Sequence, residues 1–220
     1  MHQTKSTDRV FLAVDLGAES GRVVAAHFDG ERVDLEEIHR FPNGPVDVRG
    51  TLYWDILRLW KDVQTGLSEA GRRYGDRVAG IGLDTWGVDF GLLAEDDALL
   101  SNPVHYRDSR TDGMMERAFE RVPRAEIFER TGIQFMQLNS LYQLLAMAEA
   151  GSPVLDGAAA FLTIPDLLNF WLTGRKVSEF SIATTTQCYD PRAGGWAAGM
   201  LDRLGIPSDI FCEIVPPGTV

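Results

Sequence analysis

Residues 15–22 read Asp-Leu-Gly-Ala-Glu-Ser-Gly-Arg and lie between the apolar runs 10–14 and 23–26. The pattern is strand, tight turn, strand, with an acid at the entrance of the turn and an arginine at its exit. Such a turn can aim several backbone N–H groups into one concavity and so hold an anion such as a phosphate chain. Gly17 and Gly21 are expected to supply positive backbone dihedrals and a close approach that side chains would block. The Asp15 carboxylate can hold a hydrated Mg²⁺, and Arg22 can meet phosphate oxygens with its forked donors. An ordinary hairpin with a polar turn would carry the same residue types. No Gly-x-x-x-x-Gly-Lys-Ser/Thr occurs in the chain. Gly80-x-Gly82 has Thr85 where a dinucleotide fingerprint needs its third glycine, so the two commonest phosphate motifs are absent.

Three further segments decide between these readings. They are Ile-Gly-Leu-Asp-Thr-Trp-Gly-Val-Asp-Phe at 81–90, Tyr-Arg-Asp-Ser-Arg-Thr at 106–111 and Ala-Thr-Thr-Thr-Gln at 183–187. With residues 15–22, in this order and spacing, the chain resembles the N-terminal half of the FGGY family of carbohydrate kinases, and within it the rhamnulokinase branch. The resemblance runs from about Val10 to the last residue. It implies an α/β fold, a ribonuclease-H-like mixed sheet of the actin-like ATPase superfamily, flanked by helices and carrying a helical insertion. It also implies ATP and Mg²⁺ as cofactors and L-rhamnulose or a similar ketose as substrate. Family members are roughly twice as long, and their catalytic aspartate opens a second domain. No catalytic residue is therefore expected among these 220 residues, and the missing C-terminal domain is an expected partner.

Composition agrees with a soluble globular protein, with 45% apolar and 24% charged residues. A net charge of −11 argues against a nucleic-acid partner, and no stretch approaches the length of a membrane span. Cys188 and Cys212 lack zinc spacing and are too few for a disulfide framework, so they are expected as reduced thiols in a cytoplasmic protein. His2, His27, His39 and His105 share no metal-ligand spacing. Residues 1–8 are expected as a disordered tail, and 9–220 as one kinase N-terminal domain.

The elements that must position these groups follow from periodicity. A third strand is expected over 32–41, then a loop over 41–50 rich in glycine and proline. Asp55 caps a helix with apolar residues Ile56, Leu59, Trp60, Val63, Leu67 and Ala70, and Gly71 and Gly75 flank its end. A buried strand over 78–83 is expected to share one core with that helix, and 88–93 forms another strand. Helices are expected over 111–121, 123–130, 140–150, 165–173 and 197–204, with a strand at 161–164. The helical stretch reads as an insertion on the first fold.

The resemblance then assigns roles. Asp15, Gly17, Ala18, Glu19, Ser20, Gly21 and Arg22 would hold nucleotide phosphates, with Asp15 on the metal side. Thr85, Trp86, Gly87, Asp89, Arg107 and Asp108 would meet the sugar, and Gly87 would give close backbone approach. Trp86 fits a stacking face or a core aromatic, and Asp89 fits a sugar contact or a satisfied buried acid. Arg107, Asp108 and Arg110 fit a cleft wall or a helix cap. Gln137, Asn139 and the threonines 184–186 are further cleft candidates, and Ile182 stands where relatives carry a polar residue. The competing readings are a related ketose kinase, such as a fuculokinase, and a non-catalytic lobe that binds sugar or phosphate weakly.

Overall fold

The computed structural model of the chain describes residues 9–219; the tail 1–8 lies outside the described residues. In chain order the elements are β1 (Arg9–Leu16), β2 (Ser20–Phe28), β3 (Val33–Pro42), β4 (Pro45–Val48), β5 (Thr51–Trp54), α1 (Ile56–Tyr74), β6 (Val78–Thr85) and β7 (Phe90–Leu93). They continue with α2 (Met114–Arg121), α3 (Arg124–Thr131), α4 (Ser140–Glu149), α5 (Pro153–Asp156), β8 (Ala160–Thr163), α6 (Ile164–Thr173) and α7 (Phe180–Thr185). Two compact units result. One holds the described residues up to Gly44 together with Asp55–Trp86, and the other holds Pro45–Trp54 together with residues 87–219.

The first unit is a mixed sheet in the order β3-β2-β1-β6, antiparallel except for the parallel pair β1–β6. Strict alternation in β1 buries Val10, Leu12, Val14 and Leu16 on one face. Val23 and Ala25 of β2 stand opposite Val14 and Leu12 and extend that face. Helix α1 covers it with the stripe Ile56, Leu59, Val63, Gly66 and Ala70. Asp55 caps the helix by accepting the Arg58 N–H at 3.3 Å. The helix runs through Gly71 and stops at Gly75, whose φ of 52° no longer fits an α-helix. The core partner of α1 is β1–β3, not the strand at 78–83 as expected. That strand, β6, is an edge strand with half-exposed faces, and Ile81 is 49% exposed.

In the second unit the expected loop over 41–50 contains most of a hairpin. β4 and β5 pair through a two-residue turn in which both Arg49 (φ 55°) and Gly50 (φ 90°) have positive φ. That is the turn whose twist matches an antiparallel ribbon, and Asp47 Oδ1 accepts the Gly50 N–H at 2.8 Å. Residues 103–105 pair along β5, through Trp54 N–H to Pro103 O and His105 N–H to Leu52 O. β7 and β8 form an antiparallel pair in which every residue is buried. A hydrophobic cluster that includes Ala118, Ile127, Leu141, Leu145, Phe161 and Leu201 closes around them. The helical stretch thus has a hydrophobic core of its own. The helix expected over 111–121 begins only at Met114, because Ser109–Thr111 form a 3-10 turn capped by Asp112 and the left-handed Gly113 (φ 75°) is the helix N-cap. The strand expected from Val88 begins at Phe90.

Gly66 sits where α1 approaches β2 most closely. A Cβ there would lie 2.4 Å from Val23 Cγ2 and 2.8 Å from Val23 Cβ, both on a stiff, buried side chain. Gly66→Ala is therefore expected to destabilise the chain by about 1–3 kcal/mol in urea denaturation. Gly71→Ala, with open space around it in the same helix, is expected to stabilise it by about 0.4–1 kcal/mol.

Candidate active site

The phosphate candidate lies in the first unit. β1 and β2 are joined by a tight turn in which Gly17 N–H bonds Ser20 O at 2.9 Å. Asn43 clamps the turn from outside: its N–H reaches Glu19 O at 3.0 Å, and its Nδ2 reaches Gly17 O at 2.7 Å. The N–H groups of Ala18 and Glu19 carry no partner among the described residues and lie on an exposed turn. Neither Gly17 nor Gly21 has positive φ, contrary to expectation. Gly21 is needed for space, since a Cβ there would lie 2.3 Å from the Phe41 ring and 2.7 Å from Leu16.

Asp15 and Arg22 are cross-strand partners in the ladder. Arg22 donates to Asp15 Oδ2 through Nε at 2.7 Å and Nη2 at 2.6 Å, and both side chains are more than a third exposed. An exposed pair of this kind adds at most about 1 kcal/mol. It therefore holds Arg22 at the mouth of the turn while leaving it available to a stronger anion. Arg40, opposite Arg22 on β3, donates to Ser20 Oγ at 3.3 Å and brings a second guanidinium to the turn.

The sugar candidates follow β6. Thr85 Oγ1 bonds Trp86 O at 2.8 Å, and Trp86 is half-buried. The second unit begins with Gly87–Val88–Asp89, where Asp89 N–H returns to Gly87 O at 3.0 Å. Val88 has a φ of 68°, so the three residues form a γ-turn with positive φ at its centre, the rare and strained form. A β-branched residue in that region costs on the order of 1–3 kcal/mol. The left-handed residue of the segment is thus Val88, not its glycine neighbour. A Cβ added at Gly87 would sit 3.4 Å from Thr185 Oγ1 and 3.7 Å from Ile182 Cδ1, so the segment 183–187 does come to this turn.

Asp89 is fully buried. Its Oδ2 accepts from Trp54 Nε1 at 2.5 Å and Tyr106 N–H at 3.3 Å, and its Oδ1 accepts from Gln143 Nε2 at 2.8 Å. Of the two readings open in the sequence, this geometry is that of a satisfied buried acid. Asp108 is likewise taken up internally. Its Oδ2 accepts Leu52 N–H at 2.8 Å and its Oδ1 accepts Arg110 N–H at 3.0 Å, so it ties β5 to the 3-10 turn. Arg107 is exposed and lies over the Tyr106 ring at 5.3 Å. Arg110 donates to Gln143 Oε1 at 2.7 Å; its Nε is buried with no partner among the described residues, and burial pulls the guanidinium down to about 10. The hydroxyls of Thr184, Thr185 and Thr186 each bond a carbonyl three residues back.

The sequence profile of the FGGY family of carbohydrate kinases, N-terminal domain, matches residues 10–220. The chain belongs to the FGGY family of carbohydrate kinases. A rhamnulokinase of Oceanobacillus iheyensis is 43% identical over 209 residues, covering 95% of this chain and 44% of the relative. A rhamnulokinase of Bacteroides thetaiotaomicron is 42% identical, covering 94% of this chain and 43% of the relative. The solved xylulose kinase of Lactobacillus acidophilus superposes with a TM-score of 0.84 at 21% identity, over 96% of this chain and 43% of that one. The chain thus spans less than half the length of the FGGY relatives it matches, and its fold is that of their shared actin-like α/β domain.

Several residues that build these two turns were not singled out in the sequence as site residues. Asn43 and Arg40 shape the turn at 17–20, while Trp54, Ser140 and Gln143 surround the turn at 87–89. The one available signal was Gln143, a lone amide between the buried Tyr142 and Leu144, since a buried polar group in an apolar helix needs partners.

His105 stacks between Trp54 (4.2 Å) and Tyr106 (4.4 Å), and its Nδ1 accepts the Arg107 N–H at 3.0 Å. Burial, then the Arg107 charge, lower it from 6.5 to about 4, with Asp108 opposing. Between those values the unfolded chain binds the proton and the folded chain does not. The His105 contribution is therefore complete above pH 6.5 and lost as pH falls through 4. Buried Asp166, raised to about 6, acts with the opposite sign over the lower part of that window. Wild type minus His105→Phe is expected to show stability rising with pH from 4 to 6.5. Parallel melting curves for the two proteins across that range would contradict it.

Proposed function

We propose that the chain is the N-terminal lobe of an ATP-dependent ketose kinase, transferring the γ-phosphoryl of ATP to the 1-hydroxyl of L-rhamnulose. The observation that carries this reading is identity of 41–43% to proteins named rhamnulokinase over nearly the whole chain. Phosphoryl transfer asks a protein mainly for positioning and charge neutralisation. In this reading the unpaired N–H groups at Ala18 and Glu19 and the guanidinium of Arg22 receive the nucleotide phosphates. Asp15 suits Mg²⁺ because its Oδ1 has no partner among the described residues. No group of three or more His, Cys, Asp or Glu suited to a metal occurs among those residues, so the ion would keep water and phosphate oxygens as its other ligands. When bound, it would supply neutralisation of phosphate charge.

On the sugar side of this reading, Gly87 leaves backbone open beside Thr185, and the exposed Arg107 would reach hydroxyls. The sugar hydroxyl oxygen attacks the γ-phosphorus while the β–γ bridging bond breaks toward ADP, and the hydroxyl proton passes to a carboxylate. In the resembling kinases that carboxylate is an aspartate of the second domain, outside these 220 residues. A missing base removes roughly 10²–10⁴-fold in rate, so the chain by itself is expected to turn over negligibly.

A coupled assay tests the reading. Mixing the chain with the unmatched C-terminal part of the Oceanobacillus rhamnulokinase is expected to restore ATP-dependent formation of rhamnulose 1-phosphate. In the restored enzyme Arg22→Ala should lower kcat/KM by roughly 10- to 150-fold, the loss of one charge-assisted hydrogen bond in a closed site. Gly87→Val should raise the sugar KM. Full activity in both variants would refute the site assignment, and turnover of L-fuculose in preference to L-rhamnulose would refute the substrate. No restoration with a folded chain would favour a non-catalytic lobe.

A further inference from the structure

The γ-turn at Gly87–Val88–Asp89 is strained, and its centre is a residue type that resists positive φ. Such a turn persists only if its surroundings hold it. The Val88 carbonyl is held from α4, by Ser140 Oγ at 2.6 Å and by Gln143 Nε2 at 3.3 Å. The same Nε2 reaches Asp89 Oδ1 at 2.8 Å and Leu138 O at 2.9 Å, so its two hydrogens are shared among three acceptors and it holds the Val88 carbonyl together with Ser140. The orientation of this amide is fixed by the chemistry of its neighbours. Arg110, on the Oε1 side at 2.7 Å, can only donate. The carboxylate and carbonyls on the Nε2 side accept. Turning the amide over would set donor against donor and acceptor against acceptor.

We infer that Gln143 is a positioning residue that holds Val88 in its left-handed conformation and so presents the Gly87 backbone to the sugar. The presentation to sugar rests on the proposed function; the clamp on Val88 does not. Gln143 touches the carbonyl of Val88 and the carboxylate of Asp89, two groups that flank the turn's hydrogen bond. Arg110 acts one step further out, through the amide oxygen. Gln143 thereby gives the motif 106–111 a route to the turn at 87–89 without touching a ligand.

The inference singles out a rescue that a purely structural role lacks. Gln143→Met keeps side-chain length and removes the donors, which releases Val88 toward ordinary dihedrals. Val88→Gly removes the steric reason for leaving the turn, because glycine adopts positive φ freely. Ser140→Ala deletes the shorter bond to the same carbonyl and leaves the amide's other partners in place, should Gln143→Met fold poorly.

The experiment uses the 220-residue chain, with amide hydrogen exchange at residues 87–89 and calorimetric titration of L-rhamnulose. Exchange of the Asp89 N–H is expected to quicken tenfold or more in Gln143→Met, and to quicken in Ser140→Ala as well. It should return toward wild type when Val88→Gly is added to either. Sugar affinity should fall about tenfold in Gln143→Met and recover in the double variant. Unchanged exchange at 87–89, or faster exchange with no recovery on adding Val88→Gly, would overturn the inference. Variants that show the exchange effect and its rescue, beside a wild-type chain with no affinity for L-rhamnulose, would uphold the clamp and refute the substrate reading.

Discussion

A carboxylate taken out of water needs donors for both oxygens, and Asp89 finds them on separate stretches of the second unit. Trp54 supplies an indole N–H from the end of β5, Tyr106 a backbone N–H, and Gln143 a side-chain amide from α4. An unpaired ionised group at zero exposure would be prohibitive. The hairpin β4–β5, the segment 103–111 and the N-terminal turn of α4 are therefore drawn together around one side chain. Asp108 repeats the arrangement further along the chain, accepting from Leu52 and Arg110. The γ-turn is tied to this convergence through Gln143, the donor to Asp89 that also reaches the carbonyl of Val88.

The two ligand candidates are built on opposite principles. The turn at 17–20 offers backbone N–H groups and a surface ion pair in open water, suited to a highly charged ligand that brings its own attraction. The turn at 87–89 offers almost no charge to a ligand. Its acids are consumed in shaping the backbone, and what it leaves open is the backbone at Gly87. A neutral polyol gains little from bare charge and much from fixed geometry, so a rigid, internally satisfied frame suits it.

Much of this was legible in the sequence where local chemistry decides structure. The alternation in β1, the Asp55 cap, and the glycines that close α3 and α6 in left-handed form all follow from residue type. The hairpin β4–β5 was hidden because Pro42, Gly44 and Pro45 suggest a loop, although Gly50 marks its turn. The expected positive φ at Gly17 and Gly21 was misplaced because a glycine serves space as readily as conformation, and only the Phe41 ring, 20 residues away, reveals which. The strain at Val88 could not be found locally at all. A valine signals strand, and the amide that overrides it lies 55 positions further along the chain. Asp89 was left between two roles for the same reason.

The claim that one buried carboxylate organises the second unit is tested most directly by hydrogen exchange on Asp89→Asn across the whole chain. The substitution conserves size but sets an NH₂ against the donors of Trp54 or Gln143. The account expects residues 51–54, 104–111 and 138–143 to lose protection together, with the sheet β1–β3 unchanged. Loss confined to residues 87–90, with the other three stretches as protected as before, would contradict it.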